Sequence, residues 1–240
     1  MNALITKTIR EIALEAPATT RIFEEFKIDY CCGGRRTITD ACAAAGIDST
    51  ALLERIDDIM TGGGRDDGNL VPEDLDPTEL IDYIVAKHHA FTGREIERLS
   101  PLMANVVMRH GKSHSELFEL QIVFMLLCES LIPHMRKEEN ILFPYVQDCD
   151  ASSKLCRPAP IPHFGTVKNP IRMLMSEHDT DGDRLRKMRE ITNDYNLPEG
   201  ACPSFTALYA GLEDLERDLH RHIHLENNVL FPAAAELEAS

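Results

Sequence analysis

One motif occurs twice in this chain, as His134-Met-Arg-Lys-Glu138-Glu-Asn-Ile-Leu-Phe-Pro144 and as His222-Ile-His-Leu-Glu226-Asn-Asn-Val-Leu-Phe-Pro232. Each copy sets a histidine and a carboxylate four residues apart, one turn along one face of an α-helix. Each can therefore offer a nitrogen and an oxygen to the same point. Two such helices facing each other describe a two-metal site inside a helical bundle. A single pair at this spacing is common by chance; a second copy with matched flanks is not.

The rest of the pattern supplies the other helices. Asp76-Pro77-Thr78-Glu79 reads as a helix start, with Asp as cap, Pro at the first position and Glu closing a capping box. A second helix opens near Ser113 to Glu116 and runs toward Gln147. A Pro-rich connection, 148–168, leads to a third helix at Asn169-Pro170. A fourth starts near Pro203. Pro133, Pro144 and Pro232 fall inside these helices and predict kinks or local breaks.

Along each helix an apolar stripe at spacings of three and four is interrupted by polar residues. The stripes run through Ile81, Ile84, His88 and Phe91; through Leu131, His134, Glu138, Ile141 and Tyr145; through Leu174, His178, Asp181 and Leu185; and through Leu219, His222, Glu226 and Val229. Burying a carboxylate or an unpaired imidazole costs several kcal/mol unless something compensates. Counted from the helix ends the six residues lie roughly 8 to 14 positions in, which at about 1.5 Å per residue is one layer of an up-down-up-down bundle.

Four imidazoles (His88, His134, His178, His222) and two carboxylates (Glu138, Glu226) are too many ligands for one structural zinc. They suit two octahedral ions bridged by both carboxylates, with open positions left over. The mixed nitrogen and oxygen donors favour iron or manganese. A diferrous pair and an oxo-bridged diferric pair would carry the same net charge beside two Glu and neutral His. The site therefore suits redox or diatomic-gas chemistry. Glu177, Asp181, Glu129 and Glu139 are candidates to support the ligands or move protons.

Ahead of the bundle, residues 1–60 hold short helical patterns: Ile5 to Ala13, Arg21 to Phe26, and Ala51 to Met60. Between the second and third lies Asp29-Tyr30-Cys31-Cys32-Gly33-Gly34-Arg35-Arg36. Adjacent thiols chelate one metal poorly. Arg35 and Arg36 favour the thiolate form, which would make Cys31 and Cys32 a redox pair or an iron handle. Alternatively the motif shapes a turn, with the glycines at positive φ. Gly-rich residues from Thr61 read as a flexible linker, giving an N-terminal helical domain over 1–60, a linker over 61–75 and the bundle over 76–240.

Composition narrows the partners. A formal net charge of −15 argues against nucleic acid and anionic membranes. The longest purely apolar run, Ile122 to Cys128, is far short of the ~20 residues of a membrane span. Lys7, Arg10 and Glu11 stand where a signal peptide would be apolar. Seven irregularly placed cysteines suit a reducing compartment. These features lead to the expectation of a cytoplasmic protein.

The Asp29–Gly34 motif followed by this bundle resembles the iron–sulfur cluster repair di-iron proteins, also called repair-of-iron-centres or ScdA-type proteins. The resemblance covers nearly the whole chain and rests also on Ser176-Glu177-His178-Asp179 and on both Leu-Phe-Pro flanks. It implies an all-α, hemerythrin-like four-helix bundle behind a small N-terminal domain. It implies two non-haem iron ions, oxo-bridged when oxidised, on His88, His134, His178 and His222 with Glu138 and Glu226 as bridges. His89 is set aside because an ideal helix turns it about 100° from the stripe. The implied function is repair of damaged iron–sulfur proteins under nitrosative or oxidative stress, by supplying iron. The alternatives are capture or signalling of nitric oxide, or its reduction to nitrous oxide. A homodimer is compatible with all of these.

Overall fold

The computed structural model describes residues 2–31, 33–61 and 71–239, and every regular element among them is helical. The expected linker lies mostly outside the described residues. Its last part does not: Pro72–Asp74 forms a 3-10 turn, and Glu73 takes both guanidinium nitrogens of Arg221.

The N-terminal segment folds as Asn2–Ile5, Ile9–Glu15, Thr20–Glu25, Ile38–Ala45 and Ser49–Thr61 around Ile9, Ile12, Phe23, Ile38, Leu52 and Ile56. Ile5 and Ile9 belong to separate helices because Thr8 caps the second one in a capping box with Glu11. The helix Ile38–Ala45 was not expected from periodicity. Its signals are end signals: Thr37 accepts from Asp40 N, and Gly46 closes the helix in the left-handed region at φ 68°. Gly34 does not serve as a positive-φ residue. A side chain there would strike Tyr30 O at 2.6 Å, and its own carbonyl accepts from Arg10 N at 2.8 Å.

Four long helices follow, over 77–110, 116–154, Lys168–Ile191 and 203–239, and pack as an up-down-up-down bundle. The first opens with the Asp76–Glu79 capping box. The second continues past Gln147 to Lys154, shortening the expected connector. Glu238 clasps that connector by accepting from Tyr145 Oη at 2.8 Å and Val167 N at 2.7 Å.

Two apolar cores stack along the bundle. One contains Leu99, Met103, Leu120, Phe124, Leu127, Leu185, Leu208, Leu212 and Leu215; the other contains Leu80, Ile84, Leu142, Phe143, Val146, Leu174, Leu230 and Phe231. Each fully buried side chain of this kind contributes about 1.5–3 kcal/mol, enough in aggregate to offset a polar layer lying between them. The second helix is long and apolar enough by length and composition to cross a membrane. Its residues Leu117, Leu120, Phe124, Leu127, Leu131 and His134 are buried in the bundle, while Phe118, Ile122 and Met125 are exposed.

Three helices change pitch in the polar layer. Five-residue π-turns occur at Val85–His89, Glu138–Leu142 and Glu226–Leu230. A π-turn adds one residue to a helical turn, so the inward stripe beyond it advances by one position. Leu142 is therefore buried and Ile141 40% exposed, contrary to the expected stripe. Leu230 likewise replaces Val229, and Thr92 replaces Phe91. In the second and fourth helices the turn runs directly into Phe-Pro. The proline lacks the donor that would close a regular turn, so the breaks expected at Pro144 and Pro232 take this form, whereas the α-helix Glu116–Lys137 continues through Pro133.

The N-terminal segment docks on the outer face of the fourth helix. Glu24 accepts from His220 Nδ1 at 3.0 Å, Arg10 Nη2 donates to Asn228 O at 3.2 Å, and the Tyr30 ring lies 5.3 Å from that of His224.

Candidate metal centre

The polar layer gathers two groups of four buried ligand atoms: His89, Glu138, His222 and Glu226, and His134, Glu138, His178 and Glu226. Both carboxylates belong to both groups. Glu138 Oε1 lies 3.1 Å from His134 Nε2, and its Oε2 lies 3.4 Å from His89 Nε2. Glu226 divides in the same way, Oε1 being 2.9 Å from His222 Nε2 and Oε2 3.2 Å from His178 Nε2. In each group the two imidazole nitrogens nearly touch, at 3.1 Å for His89 and His222 and 2.9 Å for His134 and His178. Two nitrogens bound at right angles, each about 2.1 Å from one ion, would stand about 3 Å apart.

Of the six ligands expected from the stripes, the structure brings together His134, Glu138, His178, His222 and Glu226. It does not bring His88. The π-turn at Val85–His89 carries His89 into the position an unbroken α-helix would give His88. His88 is nevertheless buried; its Nδ1 donates to Asp218 Oδ1 at 3.0 Å and its ring lies flat against His222.

Side-chain oxygens orient three of the four inward imidazoles through Nδ1. His89 donates to Glu139 at 2.7 Å, His134 to Glu177 at 2.8 Å, and His178 to Asn227 at 2.9 Å. Holding the proton on Nδ1 leaves the Nε2 lone pair for a cation. Glu177 thus occupies the supporting place the sequence suggested, and Lys137 pairs with it in turn. Asp181 instead accepts from Ser130 and Arg184, and burial raises its pKa. Glu129 is exposed. Asn227 escaped the sequence reading, although it follows Glu226 as Glu139 follows Glu138.

The electrostatics fit cations. Glu138 and Glu226 are fully buried, and both oxygens of Glu138 and Oε2 of Glu226 have no hydrogen-bond donor. Burial alone would raise their pKa values, yet the surrounding histidines hold both below the usual carboxylate value. Burial pushes His89 and His134 down, but the carboxylates prevail and raise them to about 10 and about 9. His222 is lowered by burial. Without cations the layer therefore holds protons on His89 and His134, which bound metal would displace.

The other candidates lie apart. Cys31 is buried, with its backbone N–H and Sγ directed at Asp29 Oδ1 at 3.1 and 3.3 Å. Cys32 lies outside the described residues. His110 faces Cys202 Sγ and His114 faces Glu116; neither enters a metal-sized group among the described residues.

Two known domain families match successive parts of the chain. Residues 5–60 match ScdA_N, described as a domain of unknown function (DUF542), and residues 79–234 match the hemerythrin HHE cation binding domain. The chain is 33% identical over 223 residues to the iron-sulfur cluster repair protein ScdA of Staphylococcus haemolyticus, covering 93% of this chain and 95% of the relative. It is 31% identical over 229 residues to the iron-sulfur cluster repair protein YtfE of Yersinia pseudotuberculosis, covering 95% and 96%. With both domains matched in order and relatives aligned over almost their full length, the chain belongs to the hemerythrin-like ScdA/YtfE family.

Proposed function

We propose that this chain is a cytoplasmic di-iron protein of the nitrosative and oxidative stress response, restoring damaged iron–sulfur clusters by supplying iron. The observation that carries the reading is the shared pair of buried carboxylates, each dividing its oxygens between two histidine pairs. His89 and His222 would hold one ion, His134 and His178 the other, with Glu138 and Glu226 bridging. The mixed donor set suits iron, and the relatives' names support repair as the task. Bound there, iron would supply one-electron chemistry and a transferable metal. The protein's part is to turn the Nε2 of His89, His134 and His178 toward the ions through their Nδ1 partners and to exclude water with the two apolar cores.

The test incubates anaerobically iron-loaded protein with a cluster enzyme inactivated by nitric oxide. Recovery should exceed that given by an equal amount of free ferrous iron; equal recovery removes the iron-supply role. A second reading is favoured by the count of four protein atoms per group, which leaves open positions on a six-coordinate ion. In that reading the reduced protein binds nitric oxide and lowers or reports its concentration. Titration with the gas, followed by absorbance, decides it, and nitrous oxide analysis separates binding from reduction.

A further inference from the structure

His88 is built like a ligand but is placed outside both four-atom groups. Its Nδ1 is held by Asp218 as His89 is held by Glu139 and His134 by Glu177. That arrangement keeps the proton on Nδ1 and bares Nε2 for a cation. His88 Nε2 is buried and has no hydrogen-bond partner. Buried polar atoms are almost always paired, so this nitrogen needs a reason.

Its neighbours supply one. The His88 ring stacks on His222 with centroids 5.6 Å apart and planes 8° from parallel. His222 differs from the other three inward histidines in having an Nδ1 with no hydrogen-bond partner, and it is the one least firmly oriented. Asp218 stands one turn before His222 on the fourth helix, and its Oδ2 is also unpartnered. Side-chain exposure falls from 17% at Asp218 to 3% at His88 and 2% at His222. Asp218, His88 and His222 therefore form a row of buried ligand atoms along one side of the layer. His88 also lies within the π-turn Val85–His89, where the helix carries an extra residue.

We propose that the two metal positions are unequal and that His88 is the exchange ligand of the one held by His89 and His222. This rests on the two-iron reading above. His88 Nε2 replaces His222 Nε2 as a nitrogen donor: one iron–nitrogen bond breaks as another forms, with no change in charge or oxidation state. Asp218 positions His88 through Nδ1. The position at His134 and His178, both anchored through Nδ1, retains its ion.

The experiment follows release of ferrous iron from the anaerobically loaded full chain to an excess of a chromophoric ferrous chelator. The wild type should release two ions in two phases of equal amplitude, with rates roughly tenfold or more apart. His88→Phe keeps a flat ring against His222 but lacks Nε2. It should load the same iron per chain and slow the fast phase about tenfold, leaving the slow phase alone. Glu177→Ala frees His134 and should instead speed the slow phase. A single phase from wild type carrying two irons overturns the exchange role. So does an unchanged fast phase in His88→Phe, or a loss of resting iron in both His88→Phe and His88→Gln. A wild type that holds no iron overturns the two-iron reading itself.

Discussion

The two copies of the motif place their histidine, shared glutamate, π-turn and Phe-Pro alike, yet their surroundings differ. In both, the residue after the shared glutamate holds an imidazole from another helix: Glu139 holds His89, and Asn227 holds His178. The next residue diverges. Asn140 is exposed and donates to its own helix at Arg136 O, whereas Asn228 is buried and donates to His224 Nδ1 at 3.0 Å. The first copy meets solvent on its outer side; the second is covered by the N-terminal segment. Burial and the nearby Arg221 accordingly depress His224 to about 3, so it is neutral there at physiological pH. The inward face of the motif is thus set by cation chemistry, while the outward face is free to serve whatever lies beyond it.

The widest effect should come from removing the cations altogether. Chelation should lower the thermal midpoint by roughly 8–16 °C for each ion present at about a thousandfold over its Kd. An unchanged midpoint in calorimetry would mean that the two copies do not meet on a common ion. Next, Glu138→Ala and Glu226→Ala should each reduce bound iron from about two to below one per chain by elemental analysis, since each carboxylate serves both groups. Loss of one ion by one variant and of none by the other would break the equivalence of the bridges. Glu139→Ala and Asn227→Ala should each weaken iron binding about 10–100-fold in chelator competition; affinity unchanged in both would deny that the position after the bridge supports a ligand. The smallest effect sharpens the outward difference. Asn228→Ala should cost about 1–3 kcal/mol in urea unfolding, and Asn140→Ala less than about 0.5. Equal costs would remove the contrast.

The repeated motif made the bundle legible, and with it five of the six expected residues that gather in the polar layer, because their spacing lies within single α-helical turns. What failed was the step across each π-turn. Ideal periodicity selected His88, Ile141 and Val229 where the structure turns in His89, Leu142 and Leu230. Phe-Pro hints at the irregularity in two helices, but Val85–His89 carries no such sign. Adjacent histidines were the only local warning. Asp218 was invisible for another reason: it partners a residue on another helix, and a carboxylate on a helix surface reads as solvated until the fold brings His88 to it. The helix Ile38–Ala45 was missed because its signals lie at its ends rather than along a face.

The fourth helix acts as a partition only one side chain thick on either surface. Within seven residues it presents His222 and Glu226 to the interior and His224 and Asn228 to the Tyr30 turn. A helix with its side chains measures about 10–12 Å across. The turn around Tyr30 and Cys31 therefore stands about one helix width from the buried carboxylates, so a change packed against its outer side is felt inside the bundle through a single helix.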